Sequence, residues 1–195
     1  MRVVFDTILP LEPFFSFVRE VRRVKAPTRV VLSTDSLGGV TARFEAEQAH
    51  VMVTILPVEA TPSLEIRSLR RLKARLVAHR SHPLARASRL TQASLADHVL
   101  LTVRGSDPRL QLPTADLDRQ SAVHLSDFHA KKDAIMAGLG FGWLPEWLIE
   151  RELRTGALKA LSIGSGAVHT FEPRAVVRAG SAGKATRLLL SALSE

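Results

Sequence analysis

Cysteine is absent from the sequence, which excludes disulfide bridges, thiol nucleophiles and thiolate metal sites. Tyrosine is also absent, and tryptophan occurs only as Trp143 and Trp147, so aromatic platforms for stacking nucleic-acid bases are not indicated. No apolar run approaches the roughly 20 residues that a membrane-spanning helix needs. The N-terminal stretch carries acidic residues and no small-residue cleavage motif, so we expect no signal peptide. These absences predict a cytoplasmic protein without a membrane association.

The chain is basic, with 27 Lys and Arg residues, 19 Asp and Glu residues and a formal net charge of +8. Such a balance raises the question of nucleic-acid binding. The arginines are scattered along the chain and are not interleaved with aromatic residues, which favours a basic surface over a nucleic-acid interface. A basic surface attracts anionic small molecules, so an anionic ligand is compatible with this composition.

Short apolar runs alternate with helical patterns in the first part of the chain. The predicted strands are residues 2–7, 28–33, 51–56, 64–69 and 75–78. Residues 11–24 repeat apolar side chains at the spacing of one helix face, and a short helix over residues 35–46 is predicted to begin at Thr34 or Asp35 as its cap. Strands that are apolar on both faces and separated by helices predict a parallel sheet covered on both sides.

A second alternation follows a proline turn at residues 82–85 and ends at a Gly/Ser stretch, residues 164–166. Its predicted elements are strands at 98–103, 122–125, 141–144 and 157–163, with helices at 128–139 and 145–154. A strand at 174–178 and a helix at 183–193 come last. We therefore predict an α/β fold of two lobes with two crossings between them. The predicted lobe I comprises residues 1–71 plus 167–195, and lobe II comprises residues 72–166.

Four short motifs occur in a defined order along the chain. The longest, IMAGLGFGWLP at residues 135–145, combines a helix end, a glycine turn, a short strand and a proline-started helix. It is followed by ELRTGAL at residues 152–158 and preceded by HPLA at 82–85 and SLAD at 94–97. In this order and spacing the motifs resemble the effector-binding domain of LysR-type transcription regulators, over essentially the whole chain.

The resemblance implies two Rossmann-like lobes of the type 2 periplasmic-binding-protein-like fold, joined by two crossover strands. It also implies a small-molecule effector, a homodimer formed through this domain and a tetramer as an expectation for the full-length protein. DNA would be bound only by an N-terminal winged helix-turn-helix, which is absent from this chain together with its linker helix. Two features depart from the family pattern: His50 replaces a common Asp, and prolines interrupt the helix expected after Ser106.

Ligands of open α/β sheets bind beyond the carboxyl ends of the strands, where helix N-termini offer N–H groups to anions. We therefore expect a small, anionic metabolite to bind between the lobes and to favour one of their relative orientations. The predicted effector-binding residues are Thr7, Ile8, Ser33, Thr34, Ser36, Ser106, Ser126, Asp127, Phe128, Phe141 and Trp143. The Ser and Thr hydroxyl groups in this set are equally consistent with helix caps, and one hydroxyl can both cap a helix and contact a ligand. His129, Lys131 and Lys132 are further candidates for holding an anion.

Enzyme chemistry is not indicated. The chain contains no Gly-x-Ser-x-Gly motif, and His79 and His82 lack nearby carboxylates for a metal site, so we expect neither catalysis nor a cofactor nor a metal. The main alternative is a solute-binding protein of the periplasmic type, which shares the two-lobed architecture and would need a secretion signal. An amino-acid-sensing domain attached to an enzyme is a further alternative, and it would require a catalytic neighbour.

Overall fold

The computed structural model describes residues 1–87, 89–106, 121–163 and 166–194. The chain folds into two compact units: unit 1 comprises Met1–Arg71 and Glu172–Glu195, and unit 2 comprises Leu72–Phe171. The chain leaves unit 1 after residue 71, the position at which the predicted lobe I also ends. It returns at Glu172, later than the predicted return at residue 167.

Strands and helices alternate through both units, which confirms the predicted α/β class. The strands are β1 (Arg2–Asp6), β2 (Val31–Asp35), β3 (Val51–Thr54), β4 (Leu64–Ser68), β5 (Leu72–His79), β6 (Leu100–Val103), β7 (Ala122–Leu125), β8 (Phe141–Pro145), β9 (Leu158–Ala160), β10 (Val168–Phe171) and β11 (Arg174–Arg178). The helices are α1 (Glu12–Arg23), α2 (Gly38–Ala46), α3 (Pro83–Arg86), α4 (Gln92–Ala96), α5 (Phe128–Met136), α6 (Glu146–Thr155) and α7 (Lys184–Ser194).

Unit 1 contains a five-stranded sheet in the order β2-β1-β3-β11-β4. β1 pairs in parallel with β2 and with β3, as the apolar strands predicted. β11 pairs antiparallel with β3 and β4, so the whole sheet is mixed, with its parallel part formed by β1, β2 and β3.

The core of unit 1 forms where α1 packs on the sheet. β1 is buried along all but its first residue. The ring of Phe5 in β1 stacks on the ring of Phe14 in α1, with centroids 3.7 Å apart. α1 buries Phe14, Phe17 and Val21, which lie on one helix face, and it also packs against α7. This packing holds the carboxyl end of β1, and the loop that follows it, in place.

Unit 2 contains a six-stranded sheet in the order β10-β5-β8-β6-β7, with β9 paired to β5 off this path. β6 is parallel to β7 and β8, whereas β5 is antiparallel to β8. β10 is absent from the sequence-based predictions, and its antiparallel pairing with β5 keeps residues 168–171 in unit 2. Its sequence, VHTF, is half-buried and too short to be recognised without the partner strand.

Two local predictions need correction in unit 2. Residues 82–85, predicted as a turn, open the short helix α3, because the His82 side chain accepts a hydrogen bond from the Leu84 N–H at 3.2 Å and caps it. α4 is a second unpredicted short helix, and a capping box between Thr91 and Ser94 starts it.

α6 begins at Glu146 and ends against Gly156, whose φ of +72° is the left-handed conformation predicted for that position.

Some predictions fall outside the described residues, namely those for Gly164 and Ser165 of the Gly/Ser stretch and for the proline-containing segment 107–120. In the parts of the chain that are described, no helix is long and apolar enough to cross a bilayer. The same parts contain no cluster of three or more His, Asp or Glu side chains able to hold a metal ion.

Candidate effector-binding site

Thr7 and Ser36 come together at the carboxyl ends of two neighbouring strands. Thr7 follows β1 and Ser36 follows β2, and the last residues of these strands, Asp6 and Asp35, face each other in the parallel pairing. The Thr7 Oγ1 and Ser36 Oγ atoms lie 2.6 Å apart, and the Thr7 N–H donates to the Asp35 carbonyl oxygen at 3.0 Å. Two predicted site residues, 29 positions apart in the sequence, therefore form one hydroxyl pair.

A buried carboxylate next to this pair holds both loops. Asp6 is 0% exposed, and its Oδ1 and Oδ2 atoms accept hydrogen bonds from the Ile8 and Leu37 N–H groups, each at 3.0 Å. Burial raises the pKa of Asp6 to about 6, although the two N–H groups act in the opposite direction. Leu37 has a φ of +52°, which is uncommon for a residue with a side chain, and its bond to Asp6 stabilises this turn. The sequence-based predictions did not include Asp6 among the site residues. The signal in the sequence was an acidic residue at the end of an apolar strand.

Ser33 and Thr34 do not join the hydroxyl pair, because both lie within β2 rather than at its end. The Ser33 hydroxyl donates to the Oε2 atom of Glu47 at 3.2 Å, and Thr34 is exposed. The predicted helix cap at Thr34 or Asp35 is wrong, since the strand continues through Asp35 and α2 begins only after the turn that contains Ser36. Pairing with β1 keeps the backbone of Ser33, Thr34 and Asp35 extended. The sequence of β2 alone does not reveal this pairing.

In unit 2, Asp127 caps α5. Its Oδ1 atom accepts hydrogen bonds from the N–H groups of His129 at 2.8 Å and Ala130 at 2.9 Å, and the Ser126 hydroxyl donates to its Oδ2 atom at 2.9 Å. Burial acts to raise the pKa of Asp127, but these three donors outweigh it and the pKa is lowered. Of the two predicted caps, Asp127 is confirmed. Ser106, which follows the neighbouring strand β6, is exposed.

The three predicted aromatic site residues are core side chains of unit 2. Phe128, Phe141 and Trp143 are 2%, 1% and 5% exposed. The Trp143 indole N–H donates to the carbonyl oxygen of Gly166 at 2.8 Å, and its ring centroid lies 5.1 Å from that of His169. The structure therefore gives these residues a packing role, and their contact with a ligand stays a prediction.

Lys131 is buried within the same unit, which the sequence did not indicate. It lies on α5 and is 1% exposed, with its Nζ atom 5.7 Å from the centroid of the Phe128 ring. Burial lowers the pKa of Lys131 to about 7. In sequence it is one of two adjacent lysines, and the pattern gives no reason to expect one of them in the core.

The residues at the strand ends belong to an α/β domain with two mixed sheets, and comparison with known proteins identifies its family. A family model described as the LysR substrate binding domain matches residues 2–195, and the chain belongs to this family. This confirms the resemblance inferred from the motifs. The architecture is the type 2 periplasmic-binding-protein-like fold of LysR regulatory domains.

The curated relatives are transcription regulators that are longer than this chain. Over 167 residues the chain is 23% identical to a probable HTH-type transcriptional regulator of Escherichia coli, YhaJ, covering 83% of this chain and 55% of that protein. Over 93 residues it is 33% identical to the multiple virulence factor regulator MvfR of Pseudomonas aeruginosa, covering 46% of this chain and 27% of that protein. The chain thus spans about half or less of the length of these relatives.

Similar solved structures are also regulatory proteins of this kind. The MetR regulatory domain of N. meningitidis has a TM-score of 0.74 at 14% identity, covering 99% of this chain and 92% of that one. The regulatory domain of Synechocystis CcmR, in complex with 2-PG, has a TM-score of 0.74 at 19% identity and 99% and 94% coverage. Full-length LysG of Corynebacterium glutamicum with bound effector Arg has a TM-score of 0.74 at 16% identity, covering 99% of this chain and 65% of that one. These likenesses show the fold, and with the family match they favour the regulator interpretation over a periplasmic solute-binding protein.

Proposed function

We propose that this domain senses a small metabolite on behalf of a LysR-type regulator, binding it at the carboxyl ends of the parallel strands. The observation that carries the proposal is the hydroxyl pair of Thr7 and Ser36, 2.6 Å apart after β1 and β2. Strand ends of this kind, followed by helix N-termini, are where open α/β sheets bind their ligands. In this role the domain binds and releases its effector and performs no reaction on it.

We propose contacts in each unit, taken by itself. In unit 1 they are the hydroxyls of Thr7 and Ser36 and the backbone at Ile8, which the bond from its N–H to Asp6 holds in place. In unit 2 they are Ser106, Ser126 and Asp127. Phe128, Phe141 and Trp143 are buried in unit 2, and we retain them as proposed effector contacts.

We propose an anionic effector. The formal net charge of +8 attracts anions to the chain as a whole. A hydroxyl group can donate a hydrogen bond to a carboxylate or phosphate oxygen. A cationic effector would instead meet a basic protein whose nearby carboxylates already have partners: Asp6 accepts two backbone hydrogen bonds, and Asp35 accepts one from the Ser36 N–H and pairs with Arg43.

The proposed output is control of DNA binding or transcription by the longer regulator. The domain would form a homodimer, with tetramers in the full-length protein, and DNA would be bound by a helix-turn-helix outside this chain. An effector that binds one conformation more tightly shifts the population toward it and so changes the arrangement of the DNA-binding domains. The HTH-type relatives support this assignment.

A thermal-shift screen of metabolites, followed by calorimetric titration, tests the proposal. Among carboxylated, phosphorylated, neutral and cationic compounds, we expect the binders to be anionic. Thr7→Val and Ser36→Ala should each weaken the best binder about tenfold, the loss of roughly one hydrogen bond. Thr41→Val is the matched control, because Thr41 is exposed on α2 and should leave the affinity unchanged. Unchanged affinity in the Thr7/Ser36 double variant, or a preference for cations, would contradict the proposal.

A further inference from the structure

A cavity opens at the amino ends of the parallel strands of unit 1, at the opposite end of the sheet from Thr7 and Ser36. Its volume is about 550 Å³, within the range of small-molecule sites. The five residues of β1 separate this amino-end cavity from the hydroxyl pair by about 15 Å. All the residues that line it belong to unit 1, and the polar ones are Lys25, Thr28, His50, Ser181, Lys184 and Thr186.

The amino-end cavity carries positive charge that no carboxylate compensates. Lys25 and Lys184 both line it, and neither ammonium has a hydrogen-bond or ion-pair partner among the residues that the structure describes. None of the described residues that line the cavity is acidic. Arg178, whose N–H donates to the His50 carbonyl oxygen, differs in this respect, because it pairs with Glu45 at 2.7 Å. An anion that enters the cavity therefore meets two ammonium groups that are not already neutralised.

His50 adds a third donor, and a local hydrogen bond fixes which of its ring nitrogens offers it. The Nδ1 atom accepts a hydrogen bond from the Arg2 N–H at 3.2 Å, so the neutral ring carries its proton on Nε2. Burial first, and then nearby positive charges that include Arg2 and Arg178, lower the pKa of His50. An anion in the cavity would offset those charges. The Asp that is common at this position in the family would instead repel an anion.

The backbone holds Lys25 at the cavity in an uncommon conformation. Lys25 follows the end of α1 with a φ of +48°, a left-handed conformation that glycine adopts without strain. Its N–H donates to the Arg22 carbonyl oxygen at 3.1 Å. A lysine at such a position costs stability, and strain of this kind is concentrated at ligand sites. α7 begins at Lys184, so the partial positive charge of its first turn adds to the field of the two lysines.

We propose that the amino-end cavity is a second ligand site, which binds the phosphate group of a small molecule. A phosphate group carries a charge of about −1.5 to −2 near pH 7, which matches two ammonium groups. Its three oxygens accept hydrogen bonds from Lys25, Lys184 and the Nε2–H of His50. A carboxylate has a single charge and would leave one ammonium uncompensated. The cavity has room for more than the phosphate, and the rest of the molecule contacts Val24 and Ala185.

Calorimetric titration with phenyl phosphate, at an ionic strength held constant with chloride, tests the site. Inorganic phosphate supplies the anion alone, and phenol supplies the apolar body alone. We expect saturable binding of phenyl phosphate, weaker binding of inorganic phosphate and no binding of phenol. An affinity for inorganic phosphate equal to that for phenyl phosphate would assign the site to the free ion and overturn the small-molecule ligand. Binding of phenol alone would overturn the anion site.

The variants decide whether phenyl phosphate binds in the amino-end cavity. Lys25→Gln and Lys184→Gln should each weaken it by roughly tenfold, the loss of one charged hydrogen bond. Arg67→Gln is the matched control: Arg67 is exposed on β4 at the edge of the same sheet, and its loss removes the same charge. Unchanged affinity in the double lysine variant, or an equal loss in Arg67→Gln, would overturn the site.

Two further measurements separate binding from folding and locate the ligand. Lys25→Gly relieves the left-handed conformation, so its stability should not fall, whereas its affinity for phenyl phosphate should fall as in Lys25→Gln. In an NMR titration, the ring signals of His50, assigned by their absence from His50→Asn, should shift saturably with phenyl phosphate. A Lys25→Gly variant that binds like the parent, or a His50 signal that does not respond, would contradict the proposal.

The amino-end cavity and the proposed effector contacts are tested separately. Thr7→Val and Ser36→Ala alter the other end of the sheet and should leave the binding of phenyl phosphate in the cavity intact. If these variants abolish it and the lysine variants do not, the phosphate belongs with the effector contacts and the cavity is not a site. If phenyl phosphate depends on Lys25 and metabolite binding does not depend on Thr7 and Ser36, the cavity stands and the placement of the effector is wrong.

Discussion

The hydroxyl oxygens of Thr7 and Ser36 lie 2.6 Å apart and link the loops that follow β1 and β2. Because the two side chains share one hydrogen bond, either substitution alone removes it, and the second substitution does not remove it again. Thr7→Val and Ser36→Ala should each lower the free energy of unfolding by about 0.5–1.5 kcal/mol, and the double variant by less than the sum. Urea unfolding of the four proteins measures this coupling, and strict additivity would show that the two hydroxyls do not interact in solution.

Asp6 contributes to stability in a way that depends on pH. Asp6→Ala leaves the Ile8 and Leu37 N–H groups without their acceptor and should destabilise unit 1 by about 2 kcal/mol or more. The pKa of Asp6 is raised to about 6, so the folded state holds a proton more tightly than the unfolded chain does. The contribution of Asp6 is therefore full at pH 4 and falls as the pH rises through 6. Unfolding at pH 4 and 7 measures it, and a larger mutational effect at pH 7 would contradict this assignment.

Lys131→Met should stabilise the protein at neutral pH. Burial lowers the pKa of Lys131 to about 7, so the unfolded chain binds this proton more tightly and stability rises between pH 7 and about 10. The pKa of His169 is lowered by burial first and by the charge of Lys131 second. We expect the variant to gain about 1–4 kcal/mol at pH 7 and to lose the rise above pH 7. Thermal or urea unfolding against pH, with Lys159→Met as the unaffected control, is the measurement.

Asp127→Ala removes the cap of α5. Two backbone N–H groups lose their acceptor, and the free energy of unfolding should fall by about 0.5–2 kcal/mol. The pKa of Asp127 is lowered because the donors outweigh the effect of burial, so its stabilisation is present at neutral pH and is lost as the pH falls below about 4. Asp127→Asn retains an acceptor and should recover most of the loss. An alanine effect that persists at pH 2–3 would argue against the charged cap.

Gly142→Ala tests how closely the Leu101 backbone and the Lys131 side chain approach Gly142 of β8. An added methyl group would lie 2.5 Å from the Leu101 carbonyl oxygen and 2.8 Å from Cε of Lys131, so the strand must shift. We expect a loss of about 1–3 kcal/mol. Gly183→Ala is the control, since its added methyl group meets nothing within 4 Å and should change stability by less than about 0.5 kcal/mol. Equal effects of the two substitutions would contradict the close packing.

Local patterns were sufficient for the elements that bury one face. The spacing of Phe14, Phe17 and Val21 predicted α1, and the glycine at residue 156 predicted the end of α6. The short strand β10 was missed because four half-buried residues carry no periodic signal, and its pairing with β5 changes where the chain returns to unit 1. The direction of β11 was likewise beyond a local pattern, since direction depends on the connection that delivers the strand.

The candidate site shows the same division. Thr7 and Ser36 were selected because they follow strands, which is a local property. That their oxygens meet depends on the parallel register of β1 and β2, and the same register removes Ser33 and Thr34 from the strand end. Asp6 was missed because its importance comes from two backbone N–H groups, one of which is 31 positions away.

By itself, the sequence determined the α/β class, the family and the hydroxyl residues that follow the strands, because these depend on residue type, periodicity and short motifs. The tertiary structure alone decided which of those hydroxyls meet, which carboxylate is buried beside them and which of two adjacent lysines is enclosed. The physical reason is that burial and hydrogen-bond partners are set by residues distant in the chain. The same ammonium is an ordinary surface charge when it faces water, and burial beside Phe128 and Gly142 lowers its pKa to about 7.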